Sequence, residues 1–282
     1  MEKQKDQPQI LFINQYLEKM KTIHENLLEF LEKNSNNEVD IQKILDHFET
    51  YKIRKDPILL KAILILIAKI SNNHQRSKDF ISKIEQLINA YKEEIKQFYS
   101  NFEIFNIFNS NKRILLFLFN EKLLVPDDNL ALIIQNDKYI KKSYPAYFFN
   151  EFKQFFDQKL IQSITENNPE VNSNEEYQQQ RKNGENDSFI CDLIRNDSIE
   201  EFVSYVNKKN IYLSSVINPS IYETNSFLIQ KRPTLIEYSM FYGAIQIFKY
   251  LQLNRVPLTS SLWLFAIHGK NAEMIHLLEY NR

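Results

Sequence analysis

The sequence is poor in the residues that make tight turns and cross-links. It holds 3 glycines, 8 prolines and one cysteine in 282 residues. The glycines, at 184, 243 and 269, are too scattered to build a loop that cradles phosphates, which excludes P-loop and dinucleotide folds. So few turn residues also argue against a sandwich or barrel of many short strands. One thiol, Cys191, cannot form an intrachain disulfide or a thiolate zinc site, and it suits a reducing compartment. The five histidines, at 24, 47, 74, 268 and 276, form no HExxH spacing. His268 and His276 read as a turn residue and a helix-surface residue before they read as metal ligands. Cys191 reads as a small buried hydrophobe before it reads as a nucleophile. No catalytic residue, metal or cofactor is assigned.

Charge bias is also lacking. With 35 basic and 36 acidic residues, nothing marks a nucleic-acid footprint or a polybasic membrane anchor. Long apolar runs are absent. The strongest, Ile58–Ile70, is interrupted by Lys61 and Lys69 and reads as a buried helix, too short for a bilayer. The opening MEKQKDQPQ has no apolar core of a signal peptide, so a cytoplasmic protein is expected. Aromatic runs such as FYSNFEIFNIF and YPAYFFNEFKQFF lack the interleaved Arg and Lys that base stacking needs, so they read as core.

What remains is helical periodicity. Apolar residues recur every three to four positions over 10–33, from Val39 to Tyr51, after Asp56-Pro57, and from Phe80 to Phe98. NSNN at 34–37 breaks the first helix. Ser100 and Glu103 have capping-box spacing for a helix over Phe102–Phe108. Asn109-Ser110-Asn111 then turns into KRILLFLFNEKLL, with Leu115 and Leu118 on one face. A short helix over Leu130–Ile134 follows.

The C-terminal part repeats itself. Thr234, Ile236, Ser239, Gly243, Phe248 and Leu251 each find a counterpart 26 residues on, at Ser260, Leu262, Phe265, Gly269, Met274 and Leu277. In each copy a hydroxyl residue opens a short helix, glycine closes it, and an amphipathic helix follows. Both glycines are thus expected in the turn, with Gly243, flanked on both sides, the costlier to replace. A third copy, SFICDLIRNDSIEEFVSYV, has Ser188, Ile190, Phe202 and Tyr205 in place and Asp197 for the turn glycine. From Asp197 to Gly243 is 46 residues, so a loop is inserted. Its apolar residues within 218–232 suggest that it packs back on the array.

The order Thr-x-Leu-x-x-Ala-x-x-Gly followed by an apolar helix resembles the ankyrin repeat. Leu235, Phe189 and Ser261 stand where that family's proline sits, and Glu237, Cys191 and Trp263 where its histidine sits. The spacing is shorter than the family's roughly 33 residues, which implies a trimmed finger. GENDSFICDLIRNDSIEEFVSYVN, PSIYETNSFLIQK and SLWLFAIHGKN are similar to a large divergent ankyrin-like family of parabasalid protists that carries a domain of unknown function. The resemblance implies an ankyrin-type fold and little about activity.

The expected architecture is all-α: an ankyrin-like helical solenoid with a helical N-terminal region over 1–100. Degenerate helix pairs fill 101–164 and a polar linker or loop 165–187, with ankyrin-like repeats over 188–282. Tryptic cleavage is expected first near Arg181 or Lys182. In an ankyrin-type stack the residues before the turn face the concave side. Here they are Arg195, Asn196, Phe241, Tyr242, Ile267 and His268, a mixture of aromatic and basic residues typical of an interface. The function expected is a non-enzymatic scaffold or adaptor for another protein, without nucleic-acid or membrane partners. The alternative is a small enzyme or regulatory subunit with a site in the N-terminal half. Apolar residues in the last repeat (Trp263, Leu264, Phe265, Ile275, Leu277 and Leu278) lead to an expectation of an uncapped end and of self-association through it.

Overall fold

The computed structural model describes residues 7–33, 38–73, 79–136 and 143–280. The expected break at 34–37 and His74 lie outside them. Among the described residues the protein is all-α. It has no strand, and one isolated antiparallel bridge joins Val216 and Thr234. No described helix is long and apolar enough to cross a membrane. The chain divides into two compact units, Met1–Ser71 with Arg76–Ile107, and Asn72–Gln75 with Phe108–Arg282. The division falls inside the span 101–164 that the sequence suggests as degenerate repeats.

The first unit is built from α1 (Gln7–Glu32), α2 (Glu38–Glu49), α3 (Pro57–Asn73) as far as Ser71, α4 (Phe80–Ala90), α5 (Lys92–Phe98) and α6 (Asn101–Phe108) as far as Ile107. Leu27 and Leu31 of α1, Phe48 of α2 and Ile84 and Ile88 of α4 are fully buried, and these three helices pack on one another. Lys83, also fully buried, donates from Nζ to the carbonyls of Phe30 (2.8 Å) and Lys33. An ammonium from α4 is therefore placed at the carbonyl end of α1, where positive charge is favourable. Burial pulls the Lys83 pKa below its ordinary value. The capping box forms: Ser100 donates from N–H and hydroxyl to Glu103 Oε2 at 3.1 and 3.0 Å, and Glu103 N–H returns to Ser100 Oγ.

The second unit begins with α7 (Lys112–Asn120), capped by the Asn111 side chain, and α8 (Asp128–Asn136). Leu115 and Leu118 are buried, as their spacing indicates. Two single turns follow, α9 (Tyr144–Tyr147) and α10 (Phe149–Phe152), packed edge to face with Phe119. Next come α11 (Gln158–Asn167) and α12 (Asn174–Asn183).

These last two helices correct the linker expected at 165–187. The segment is helical as far as Asn183, with a 3-10 turn at Pro169–Asn172 between the two helices, and is anchored by Val171, Tyr177 and Arg181, all buried. Arg181 donates to Glu151 Oε2 at 2.7 Å, to the carbonyl of Tyr147 at 2.9 Å and to Gln178 Oε1 at 2.7 Å. Its guanidinium lies 4.6 Å from the Tyr177 ring centroid. Burial alone would lower the Arg181 pKa, but Glu151 reverses the shift and the group stays charged. Tyr177 closes the arrangement by donating to the carbonyl of Tyr147 at 2.7 Å. Composition suggested a mobile loop because it counts arginine as polar. It misses an arginine whose partners lie about thirty residues upstream. Early cleavage after Arg181 is accordingly not expected.

The C-terminal part comprises α13 (Phe189–Arg195), α14 (Ile199–Lys209), α15 (Ser226–Lys231), α16 (Leu235–Tyr242), α17 (Ile245–Leu253), α18 (Leu262–Gly269) and α19 (Ala272–Tyr280). The pairs α13–α14, α16–α17 and α18–α19 pack internally. α13 lies on α16, α16 on α18, and α14 on α17. One core runs through all three pairs. The opening hydroxyl caps its helix at Thr234, which forms a capping box with Glu237; at Ser188 it accepts no such bond. In the last copy the N-cap is Ser261, one residue after the expected Ser260, likewise without a side-chain cap.

The turn residues need one correction. Left-handed φ values occur at Asp197 (49°), Gly243 (71°) and Lys270 (52°), so Gly269 is not the turn residue. It is the last residue of α18, where a Cβ would overlap the carbonyl oxygen of Phe241. The second spacing is therefore 27 residues, from Gly243 to Lys270.

Two expectations follow. The Glu103 carboxyl, held by the Ser100 N–H and by Lys61, should titrate at about 2. Its stabilising effect should be complete above the ordinary carboxylate range and vanish as pH falls toward 2. An NMR titration with a midpoint near 4.5 overturns this. Gly269→Ala should cost about 2–3 kcal/mol, as overpacking against backbone does. Gly243→Ala should cost about 1–2 kcal/mol, the left-handed penalty, because there a Cβ meets only the Asn271 side chain. Urea unfolding with the reverse order refutes the argument.

Candidate functional site

The six residues expected on one open face have different fates. Arg195 is only 14% exposed at its side chain. It pairs with Glu185 at 3.0 Å and donates to the Asn186 carbonyl (2.9 Å) and the Tyr238 hydroxyl (3.0 Å). Its fork thus ties α13, α16 and the 185–186 segment together. Asn196 is exposed and bonds back to Asp192 of its own helix. Phe241 is buried, and Tyr242 is half-buried beside Tyr238 and Phe241. Ile267 is 60% exposed, and His268 is half-buried.

Phe227 of α15 decides this outcome. Its ring stacks on His268 at 3.8 Å and 19°, lies 6.1 Å from Phe241, and meets Phe265 edge-on at 5.0 Å. Phe241 and His268 are therefore brought together under a residue that the sequence reading left out of the site. The only signal for it was the apolar content of 218–232. The N-terminus of α15 is set by Asn225, whose Oδ1 accepts from the N–H groups of Phe227 and Leu228.

Adjacent pairs are joined by polar bonds as well as by core. The Asp197 carboxylate accepts from the N–H groups of Gln246 and Ile247 at 3.0 Å each, so the turn of one pair caps the second helix of the next. Ser261 donates to Glu237 Oε1 at 2.5 Å, linking the openings of α18 and α16.

A cavity of about 660 Å³ opens beside α15, walled by Ile217, Pro219, Leu228, Pro233 and Tyr238 with Asn186 and Glu223. The polar side chains around it serve the fold. Asn186 spans Asn218 O and Ser188 N, Ser143 accepts from Lys112, and Glu223 accepts from Asn225 N. Among the described residues no group of three or more His, Cys, Asp or Glu is placed to hold a metal ion. His276 pairs with Glu279 on its own helix.

Cys191 is fully buried, and burial pushes its thiol up to about 11. It should react with a thiol reagent at neutral pH only after denaturation. Rapid labelling of the native chain contradicts that placement. Compared with protein-family models, with curated proteins and with solved structures, the chain gives no match.

Proposed function

We propose that the chain is a non-enzymatic scaffold or adaptor, an ankyrin-like stack of helix pairs that binds another protein through its repeat surface. One observation carries this reading. Ile267 of α18 is 60% exposed, whereas Met240, at the same place in α16, is fully buried. The helices match position by position, each eight residues long and ended by a left-handed residue. A buried site in one pair is therefore an open apolar site in the next, with Leu264 exposed on the same helix. The bonds from Asp197 to α17 and from Ser261 to Glu237 support a rigid platform, which reduces the ordering cost of association. The likeness to the parabasalid ankyrin-like family belongs to the same reading.

The test is affinity capture by the purified chain from a lysate of its source cells, read by mass spectrometry. A captured protein should lose at least about tenfold in affinity when Ile267→Asp or Leu264→Asp places a carboxylate in the contact. Circular dichroism should stay helical in both variants. A captured set that both substitutions leave unchanged overturns the reading.

A further inference from the structure

The repeat spacing leaves a surplus. Asp197 to Gly243 is 46 residues and Gly243 to Lys270 is 27, so the first interval holds 19 extra residues. The structure locates them. Ile217 N–H donates to the Pro233 carbonyl at 2.8 Å and Leu235 N–H to the Ser215 carbonyl at 3.1 Å. These bonds close the neck of an excursion over 217–233, 17 residues that account for all but two of the surplus, a compact loop with its ends together. Outside the neck the stack is continuous, since α13, α16 and α18 pack in series and α14 lies on α17.

The two halves of the excursion are held differently. The first half is pinned by polar bonds to the chain before α13. Thr224 donates to Gly184 O at 2.7 Å, Asn186 to Asn218 O at 2.8 Å, and Ser220 to Asp187 at 2.7 Å. The second half is α15, six residues long and ending on Arg232 in the left-handed region (φ 50°). Its inward side chains are Phe227 and Leu228, and one side-chain bond, from Ser226 to Asn72 O at 3.2 Å, adds to them. Phe227 fills the slot made by Phe241, Phe265 and His268, two of which stand just before turns of the array.

We propose that α15 is a built-in occupant of the repeat face, displaced by a protein partner that presents a short helix with a phenylalanine-leucine pair in its first turn. The proposal rests on the protein-binding reading above and names the partner's chemistry. The slot's chemistry comes from its resident: one ring stacked flat on an imidazole, edge-on to Phe265, with an aliphatic neighbour and a capped helix start. A partner helix with the same pair reproduces those contacts. The resident helix lowers the partner's apparent affinity by the fraction of time that it covers the slot.

The experiment uses the full chain with residues 226–231 replaced by alternating Gly and Ser, and as probe a fluorescein-labelled, end-capped peptide of residues 224–232. Fluorescence polarisation should show saturable binding to the replaced chain. The peptide carrying Phe227→Ala should not bind. The unaltered chain should bind the peptide at least about tenfold more weakly, because its slot is filled. A helical, cooperatively melting replaced chain that ignores the peptide, or takes the Ala peptide equally well, overturns the proposal. Equal affinity of the unaltered chain does so too. If the replacement prevents folding, the full-length Phe227→Ala variant takes its place and should bind the peptide more tightly than the unaltered chain. Unchanged affinity, or failure of that variant to fold, makes α15 a permanent part of the core and overturns the proposal. A captured protein that is lost on Ile267→Asp but indifferent to α15 replacement leaves the protein-binding reading standing while this proposal falls.

Discussion

Position 269 has no side chain, and the backbone of α18 lies there against the carbonyl of Phe241. The rest of the array follows from that approach. A pair of helices of seven to eleven residues cannot bury its apolar face alone, so each pair needs a neighbour at core distance. With the gap closed, Met240, Phe265 and Ala266 are buried together and one core extends through three pairs. Ser261 then comes within reach of Glu237. The earlier junction has its own fixing point, where Asp197 uses a strained backbone to aim its carboxylate at the start of α17. A left-handed aspartate costs roughly 1 kcal/mol; capping two N–H groups recovers about as much.

Buried cations organise the rest of the molecule. Lys83 meets carbonyls near the end of α1 in the first unit, and in the second Lys112 meets Ser143 and the carbonyl of Ile221. Arg181 has a carboxylate, a carbonyl and two tyrosine faces. Each would be costly to bury alone, and each is placed against carbonyls or a carboxylate. Removing any one strands its partners, so these side chains specify which segments meet. Arg181 brings α12 onto the aromatic turns at 144–152, and Arg195 does the same for α13 and α16.

How legible each feature was depends on the reach of its interactions. Ser100–Glu103 acts over three residues, so its spacing alone reveals it, and the opening role of Thr234 is equally local. The burial of Phe248, Leu251, Leu115 and Leu118 follows from period, which is likewise local. The turn frame was misplaced by one residue because glycine has two uses. Gly243 supplies a left-handed turn, whereas Gly269 supplies closeness, and identical letters 26 residues apart hid the difference. The helix at 174–183 was invisible to composition because its anchor, Arg181, pairs with Glu151. On the candidate face the pre-turn residues were identified by position. The burial of Phe241 depends on Phe227, which no repeat copy contains.

Where the extra residues sit has its own logic. Closing a loop costs an entropy that grows only slowly with length, so 19 additional residues are tolerable wherever the ends already meet. Between α14 and α16 they meet through the Ile217–Pro233 and Leu235–Ser215 bonds. The polar ties between neighbouring pairs, from Asp197 to α17, from Arg195 to Tyr238 and from Ser261 to Glu237, have their ends outside 217–233. An insertion at this neck therefore leaves every tie between pairs unbroken. An insertion between Gly243 and Asn271 would instead separate the turn of one pair from the residue that caps α19. The pairs can thus carry an added segment at this junction, and one that lies back over α16 and α18 is set against the rings of Phe241, Phe265 and His268.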